Sequence, residues 1–281
     1  MEGMNPPASP RLRRASTRVI DGRSIASRVR EAVASRVATL GFKPGLGVVL
    51  VGDDPASHLY VALKEKACLE TGVFFERRSF PADASQDEVL EAVRGFNAHA
   101  GIDAILVQLP LPNQMDADAV VAAIDPAKDV DGFHPENLMA YLEGRGSAPG
   151  LIEAISTLLD AGGAPDAGLS CVLAKSAVFS APLETMLTRR GLPPTDDCRA
   201  ADVVVTALGK PGSLTAAEIK PGAIVIDVGT TRVEGTTVGD ANAASLEGVA
   251  SALTPVPGGV GPMTVAMLLK KTLELAESRR K

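Results

Sequence analysis

Tyr60 and Lys64 stand four residues apart in the run PASHLYVALKEKAC. In a helix that spacing puts a phenol and an amine on one face. On a wheel of about 100° per residue, Ala56, Leu59, Tyr60, Leu63, Ala67 and Cys68 fall on one side and His58, Glu65, Lys66 and Glu70 on the other. Lys64 falls inside the apolar arc. A lysine there either snorkels to water with its stem on apolar surface, or stays desolvated with a lowered pKa, the state a proton-transfer amine needs.

Three further stretches carry polar groups or glycines where chemistry is done. Gln108 is an amide at the carboxyl end of the apolar run IDAILVQLPL. In open α/β sheets ligands gather at that end of the strands, although an amide there also serves to satisfy loop backbone. Asp129 and Asp131 precede Gly132 in PAKDVDGFHP, a composition that by itself reads first as a turn. The run TPVPGGVGPMT, Thr254–Thr264, is a glycine-rich entry to a helix, where backbone approaches a ligand closely or where a proline simply starts the helix.

The elements that position these groups follow from the pattern. A short extended piece near Val19 leads into a helix with apolar positions at Ile25, Val29, Val33, Val37 and Leu40. Leu46–Val51 is short, β-branched and apolar, as a buried strand should be. Asp54 suits an N-cap, Pro55 the first helical position and Gly72 the residue after the last turn. Residues 75–80 form a second strand, 83–98 a helix, and 102–111 a buried strand. Beyond a composition change near 149 come a helix from Gly150 to Ala161, strands at 170–179, 201–208 and 223–228 with Asp227 near the end of the last, and an amphipathic helix to about Ser278. Leu183–Arg189 is expected to be only briefly helical. Alternating strands and helices predict an α/β fold with parallel sheets.

The bulk numbers exclude several classes. The chain has 281 residues, 46% hydrophobic and 22% charged, with a formal net charge of −6. That is ample core and no footprint for nucleic acid. No run approaches the roughly 18 apolar residues that span a bilayer. Cys68, Cys171 and Cys198 are scattered and odd in number, which fits reduced thiols in a cytoplasmic protein better than a disulfide framework or a zinc site. Residues 1–17 have arginines and prolines but no apolar core of a secretory signal, and read as a disordered leader or, more weakly, a short organellar transit peptide.

Taken together and in order, VGDDPASHLYVALKEKAC, ILVQLPLP, KDVDGFHPEN and TPVPGGVGPMT resemble the methylenetetrahydrofolate dehydrogenase/methenyltetrahydrofolate cyclohydrolase family, over about Val19 to Lys270. The resemblance implies two α/β domains flanking a cleft, the second a Rossmann-like NADP-binding unit, and a homodimer. The boundaries it implies are 18–149 plus 262–281 for the folate domain and 150–261 for the second. It implies that Tyr60 stacks on the folate, Lys64 handles protons, Gln108 holds Lys64 and the attacking water, and Asp131 binds the pterin. Pro257, Gly259, Gly261 and Thr264 then line the folate and nicotinamide end of the cleft.

The second half departs from the family pattern. Where the family reads like GRSNIVGKP, this chain has Ala174 to Pro182, AKSAVFSAP, with both glycines replaced. Between Pro182 and Ala201 it is about ten residues shorter than the family, in the strand that carries ribose and 2′-phosphate contacts in such a unit. The family's Cys-Thr-Pro is here Ser147, Ala148, Pro149. These changes make NADP binding doubtful, with Lys175, Ser176 and Thr230 as the remaining weak cofactor contacts. The expectation is therefore an enzyme on methylene- or methenyl-tetrahydrofolate that keeps cyclohydrolase chemistry with a weakened dehydrogenase step. The alternatives are the full bifunctional enzyme, methylene transfer to an amine acceptor, and a non-catalytic folate-binding paralogue.

Overall fold

The computed structural model describes residues 16–281. The elements are β1 (Arg18–Val19), α1 (Gly22–Val37), β2 (Gly45–Val51), α2 (Pro55–Thr71), β3 (Phe74–Phe80), α3 (Gln86–Ala98), β4 (Ala104–Val107), α4 (Ala117–Ala122) and α5 (Pro135–Leu142). The second half adds α6 (Gly150–Gly162), β5 (Ser170–Ala174), α7 (Ala177–Arg189), β6 (Val203–Ala207), β7 (Ile224–Asp227), the hairpin β8 (Thr231–Val233) and β9 (Thr236–Val238), α8 (Ala243–Leu246), β10 (Ala252–Leu253) and α9 (Val260–Ser278). One parallel sheet has the order β3-β2-β4 and the other β1-β10-β7-β6-β5. This is the expected α/β fold in two units.

Local chemistry sets the helix bounds. The Asp54 carboxylate accepts from the Ser57 amide at 2.8 Å, Pro55 opens α2, and Gly72 closes it at φ +80°. Ser85 and Glu88 form a reciprocal capping box on α3. β2 is buried at every residue, so its run GLGVVLV needs no alternation.

Two long helices hold the sheets together. The first part of α9 packs Val260, Met263, Ala266 and Met267 into the core of the five-stranded sheet, and its second part packs Leu268, Leu269 and Leu273 into the core of the other. Likewise α1 gives Ile25 and Ala26 to one core and Val33 and Val37 to the other. Each such leucine contributes about 1.5–3 kcal/mol by leaving water, so the two sheets share load-carrying helices. On the far side, Arg189 Nη2 of α7 donates to the Tyr141 and Leu142 carbonyls at the end of α5, at 2.9 and 3.2 Å.

Several expectations are corrected. The expected leader runs to residue 17; residues 1–15 lie outside the described residues, but Thr17 is part of the fold. Its hydroxyl donates toward the Leu246 and Ala250 carbonyls and accepts from the Gly248 amide, and β1 beside it is the edge strand of the second sheet. α7 begins at Ala177 rather than near Leu183 and carries Pro182 inside it. The carbonyl that this proline leaves unpaired, four residues back at Val178, belongs to an exposed residue with solvent in reach. Cys171 and Cys198 are joined as a disulfide, with Cα atoms 5.1 Å apart, while Cys68 is free and buried. The shortened stretch after α7 folds back along β5, which brings together two cysteines that sequence spacing alone does not pair.

Candidate active site

The apolar arc of the wheel is not the buried face of α2. The buried face of α2 is Ser57, Val61, Ala67, Cys68 and Thr71. Leu59, Tyr60 and Leu63 are 49, 43 and 47% exposed, and Tyr60 and Leu63 line a cavity. An apolar side chain facing a ligand cleft looks the same on a wheel as one facing the core. Cys68, on the buried side, has its thiol pushed up to about 12 by burial, which makes it inert.

Lys64 Nζ donates to Gln108 Oε1 at 2.7 Å, and Gln108 Nε2 donates to the Leu109 carbonyl at 2.6 Å. The amide is thereby held with its oxygen toward the lysine. Gln108 sits one residue beyond β4, and the Leu109–Pro110 peptide bond that follows is cis. Burial pulls the Lys64 pKa below the usual lysine range, against the opposing charge of Asp131. Burial raises the Asp131 carboxyl to about 6, with Lys64 pulling it back and Asp129 pushing it further up. The Asp131 residue is nevertheless exposed to solvent.

Asp129, by contrast, is structural. It accepts from the amides of Gly132 and His134 and from Asn137 Nδ2 at 2.8–3.1 Å, which shapes the turn that presents Asp131.

The cavity beside Lys64 has a volume of about 660 Å³. Tyr60, Lys64 and Gln108 form one wall. Thr230, Pro257, Gly259, Gly261 and Thr264 form the other, so those expectations converge on one space. Asp131 is not among its walls and reaches the site through Lys64. Lys175 and Ser176 lie elsewhere, exposed at the turn from β5 into α7. The residues that sequence reasoning missed include Arg23 and Arg30 on α1, Lys66 on α2, Leu151, Thr237 and Val256. The two arginines, seven apart on one helix, carried a signal in their spacing.

At the carboxyl ends of β6 and β7, two buried aspartates shape the loops. Asp227, which also lines the cavity, accepts from the amides of Gly229, Asp240 and Ala241 at 2.8–3.1 Å, and burial raises its pKa. Asp240 accepts from Thr206 Oγ1 and the Leu208, Gly209 and Lys210 amides at 2.6–3.2 Å. These are the strand ends at which a doubly wound sheet holds a dinucleotide. The first residues of α7 are exposed with no side-chain cap, leaving amides free for a pyrophosphate. Past β5 the sheet continues only as an isolated bridge between Ser170 and Pro194.

A part-buried lysine–amide pair faces the cleft between two parallel α/β units, one with the strand ends at which such sheets hold dinucleotides. Comparison with known proteins gives the family. Residues 20–131 match the tetrahydrofolate dehydrogenase/cyclohydrolase catalytic domain, and residues 149–280 match the NAD(P)-binding domain of the same family. The chain belongs to that family and is an enzyme of the methylenetetrahydrofolate dehydrogenase/cyclohydrolase type.

Among its relatives, the bifunctional protein FolD of Acidiphilium cryptum is 44% identical over 94% of this chain and 100% of its own. FolD of Bordetella bronchiseptica is 43% identical over 93% of this chain and 98% of its own. The solved structure of the Campylobacter jejuni bifunctional enzyme superimposes with a TM-score of 0.89 at 35% identity, covering 94% of this chain and 99% of that one. The Trypanosoma brucei enzyme, complexed with NADP and an inhibitor, gives 0.90 at 34% identity, covering 95 and 100%. The match of residues 149–280 to an NAD(P)-binding domain goes against the expectation that NADP binding is doubtful.

Among the described residues no helix is long and apolar enough to cross a membrane, and no cluster of potential metal ligands is present.

Proposed function

We propose that the chain is a bifunctional methylene-tetrahydrofolate dehydrogenase and methenyl-tetrahydrofolate cyclohydrolase. The Lys64–Gln108 pair, facing Thr230 and the Pro257–Thr264 wall across one cavity, carries the reading. In this reading Tyr60 stacks on the folate, Asp131 holds the pterin end, and the second unit is residues 150–261, with 18–149 and 262–281 forming the folate unit.

In cyclohydrolysis the water oxygen bonds to the amidinium carbon and gives a proton to Lys64. As the carbon–nitrogen bond of the ring breaks, Lys64 returns that proton to the departing nitrogen, and the hydroxyl proton passes to solvent as the formyl group forms. Gln108 keeps the amine aimed at the water, so the lysine acts as a base already in place. Bound NADP⁺ would supply the hydride acceptor for the methylene carbon. The α7 amino terminus with Lys175 and Ser176 fits its pyrophosphate, and Thr230 with the Pro257–Gly259 loop fits its nicotinamide.

A second reading, cyclohydrolase with a weakened dehydrogenase, is favoured by one observation. The sheet ends at β5 with only the Pro194 bridge beyond it, and Ala174 and Ser180 carry β-carbons where the family pattern has glycine. A single pair of assays separates them. The first reading expects NADPH formation from methylene-tetrahydrofolate at an ordinary enzyme rate of about 1–10³ s⁻¹, together with loss of methenyl-tetrahydrofolate absorbance. Hydrolysis without NADPH formation supports the second reading, and absence of both rejects the two together.

The homodimer is also proposed. β3 pairs only with β2, leaving an open edge, and Phe74 and Leu69 beside it are 42 and 74% exposed. An edge of that kind is blunted by pairing with a second copy. Light scattering on the native protein should give twice the monomer mass, and Phe74→Lys should lower it; a monomeric wild type at micromolar concentration contradicts the proposal.

A further inference from the structure

The open edge of the five-stranded sheet carries charges that the reaction does not use. β5 pairs with β6 along its whole length, Ser170–Ala174. On its other side only Ser170 is paired: its amide donates to the Pro193 carbonyl at 3.0 Å and its carbonyl accepts from the Thr195 amide at 2.7 Å. The chain then turns back at once. The Ala200 amide donates to the Asp197 carbonyl, the Cys171–Cys198 disulfide ties the returning limb to β5, and at Asp202 the chain is again beside Leu169. Asp196 and Asp197 form the tip of this turn. With Pro194 opposite Ser170, Asp196 is level with Val172, two residues or about 7 Å short of the carboxyl end of β5.

In a doubly wound sheet the first strand, here β5, leads into the turn that holds the pyrophosphate, and the adenosine ribose is read about 20 residues further on. An acid there accepts from the ribose 2′-hydroxyl of NAD, whereas an arginine takes the 2′-phosphate of NADP. Asp196 follows Ser176, at the β5–α7 turn, by 20 positions.

The cations on and beside this edge are engaged or directed elsewhere. Lys175 Nζ reaches toward the turn after β6, 3.9 Å from the β-carbon position of Gly209, on the side of β5 away from Asp196. Arg199 Nε donates to Asp197 Oδ1 at 3.0 Å. Arg189 is bonded to the Tyr141 and Leu142 carbonyls, Arg190 to Ser156 and Asp160, and Lys220 to Asp202. Asp196 is exposed and, among the described residues, has no cationic partner. The tip therefore presents a net negative charge.

We propose that Asp196 sets the cofactor preference of this chain, in favour of NAD⁺ over NADP⁺. This rests on the dehydrogenase reading above. A carboxylate at the tip accepts from a ribose hydroxyl, directly or through one water, and repels a phosphate in the same place. NADP⁺ remains a weaker cofactor of the same site, because its pyrophosphate and nicotinamide are those of NAD⁺.

Calorimetry with NAD⁺ and NADP⁺ reads the preference without turnover. NAD⁺ is expected to bind about tenfold tighter at low salt, the size of one hydrogen bond to a charged group. The gap should narrow as ionic strength rises past physiological and the Debye length falls below about 8 Å. Asp196→Asn should bring the two affinities together by strengthening NADP⁺, and Asp196→Arg should reverse their order. Asp197→Asn, which frees Arg199, should also strengthen NADP⁺. Lys175→Ala should weaken both dinucleotides alike. The salt series on the native protein needs no variant, so a misfolded mutant does not blunt the test.

NADP⁺ binding as tightly as NAD⁺ or tighter in the native protein at low salt overturns the proposal. A preference unmoved in an Asp196→Asn protein that melts like the native one does the same. So does a Lys175→Ala protein that loses NADP⁺ alone, since the lysine is then the reader of the 2′-phosphate. Failure of both dinucleotides to bind removes the dehydrogenase reading itself, an outcome distinct from tighter binding of NADP⁺.

Discussion

Lys64→Met should lower methenyl-tetrahydrofolate hydrolysis by about 10²–10⁴-fold, the usual cost of removing a proton-transfer group, while folate binding survives. The substitution keeps the stem that covers apolar surface and removes only the amine. Its expected effect is large because the amine is desolvated and held on Gln108 at 2.7 Å, so no neighbouring group stands ready to replace it.

The pH profile carries the sign of the argument. Lys64 and Asp131 influence each other: the carboxylate's charge raises the lysine's pKa and the lysine's charge lowers the carboxyl's. Below about 6 Asp131 is protonated, and its support for the lysine's charge is gone. Asp131→Asn makes that loss permanent, so the limb of the profile that reports Lys64 deprotonation should move to lower pH. A rate in Lys64→Met near that of the native protein would make the lysine a bystander. If the native protein itself never exceeds the uncatalysed rate, methylene transfer or plain folate binding becomes the better account.

The second large effect lies at a residue that touches no substrate. Gly22 opens α1 and is pressed against the loop before α9. A β-carbon there would overlap the Gly259 carbonyl oxygen and lie 2.6 Å from its carbon and 2.9 Å from the Gly258 oxygen. The neighbour is backbone, which cannot rotate away, and the Arg23 amide is bonded to the Gly258 carbonyl at 3.1 Å beside it. Overpacking of this kind typically costs about 1–3 kcal/mol and sometimes more. Relief requires the Pro257–Gly259 wall to move into the cavity or α1 to lift from both cores.

Gly22→Ala should therefore lower the melting temperature and, through displacement of that wall, reduce turnover by up to about 10²-fold. Gly41→Ala is the control, since nothing lies within 4 Å of its β-carbon position. A Gly22→Ala protein that melts and turns over like the Gly41→Ala control would show that the contact relaxes at no cost.

What the sequence by itself determined was local or motif-borne. Asp54, Pro55 and Gly72 fixed the ends of α2 because caps act within three or four residues. The apolar run of β2 identified a buried strand, and four motifs in order carried the family, three of them with residues that now face one cavity.

The tertiary structure alone decided which neighbours each local feature met. Leu63 looked like core on a wheel, but only the position of the cleft made it a cavity edge rather than an interior. Thr17 looked like leader until the second sheet supplied the carbonyls it bonds. Cys171 and Cys198, 27 residues apart, became a pair only when the chain after α7 folded back along β5. Arg23 and Arg30 were ordinary surface arginines until the fold left them without carboxylate partners on the wall of the cavity. In each case the deciding partner is distant in sequence, and burial and charge pairing are properties of that partner as much as of the residue itself.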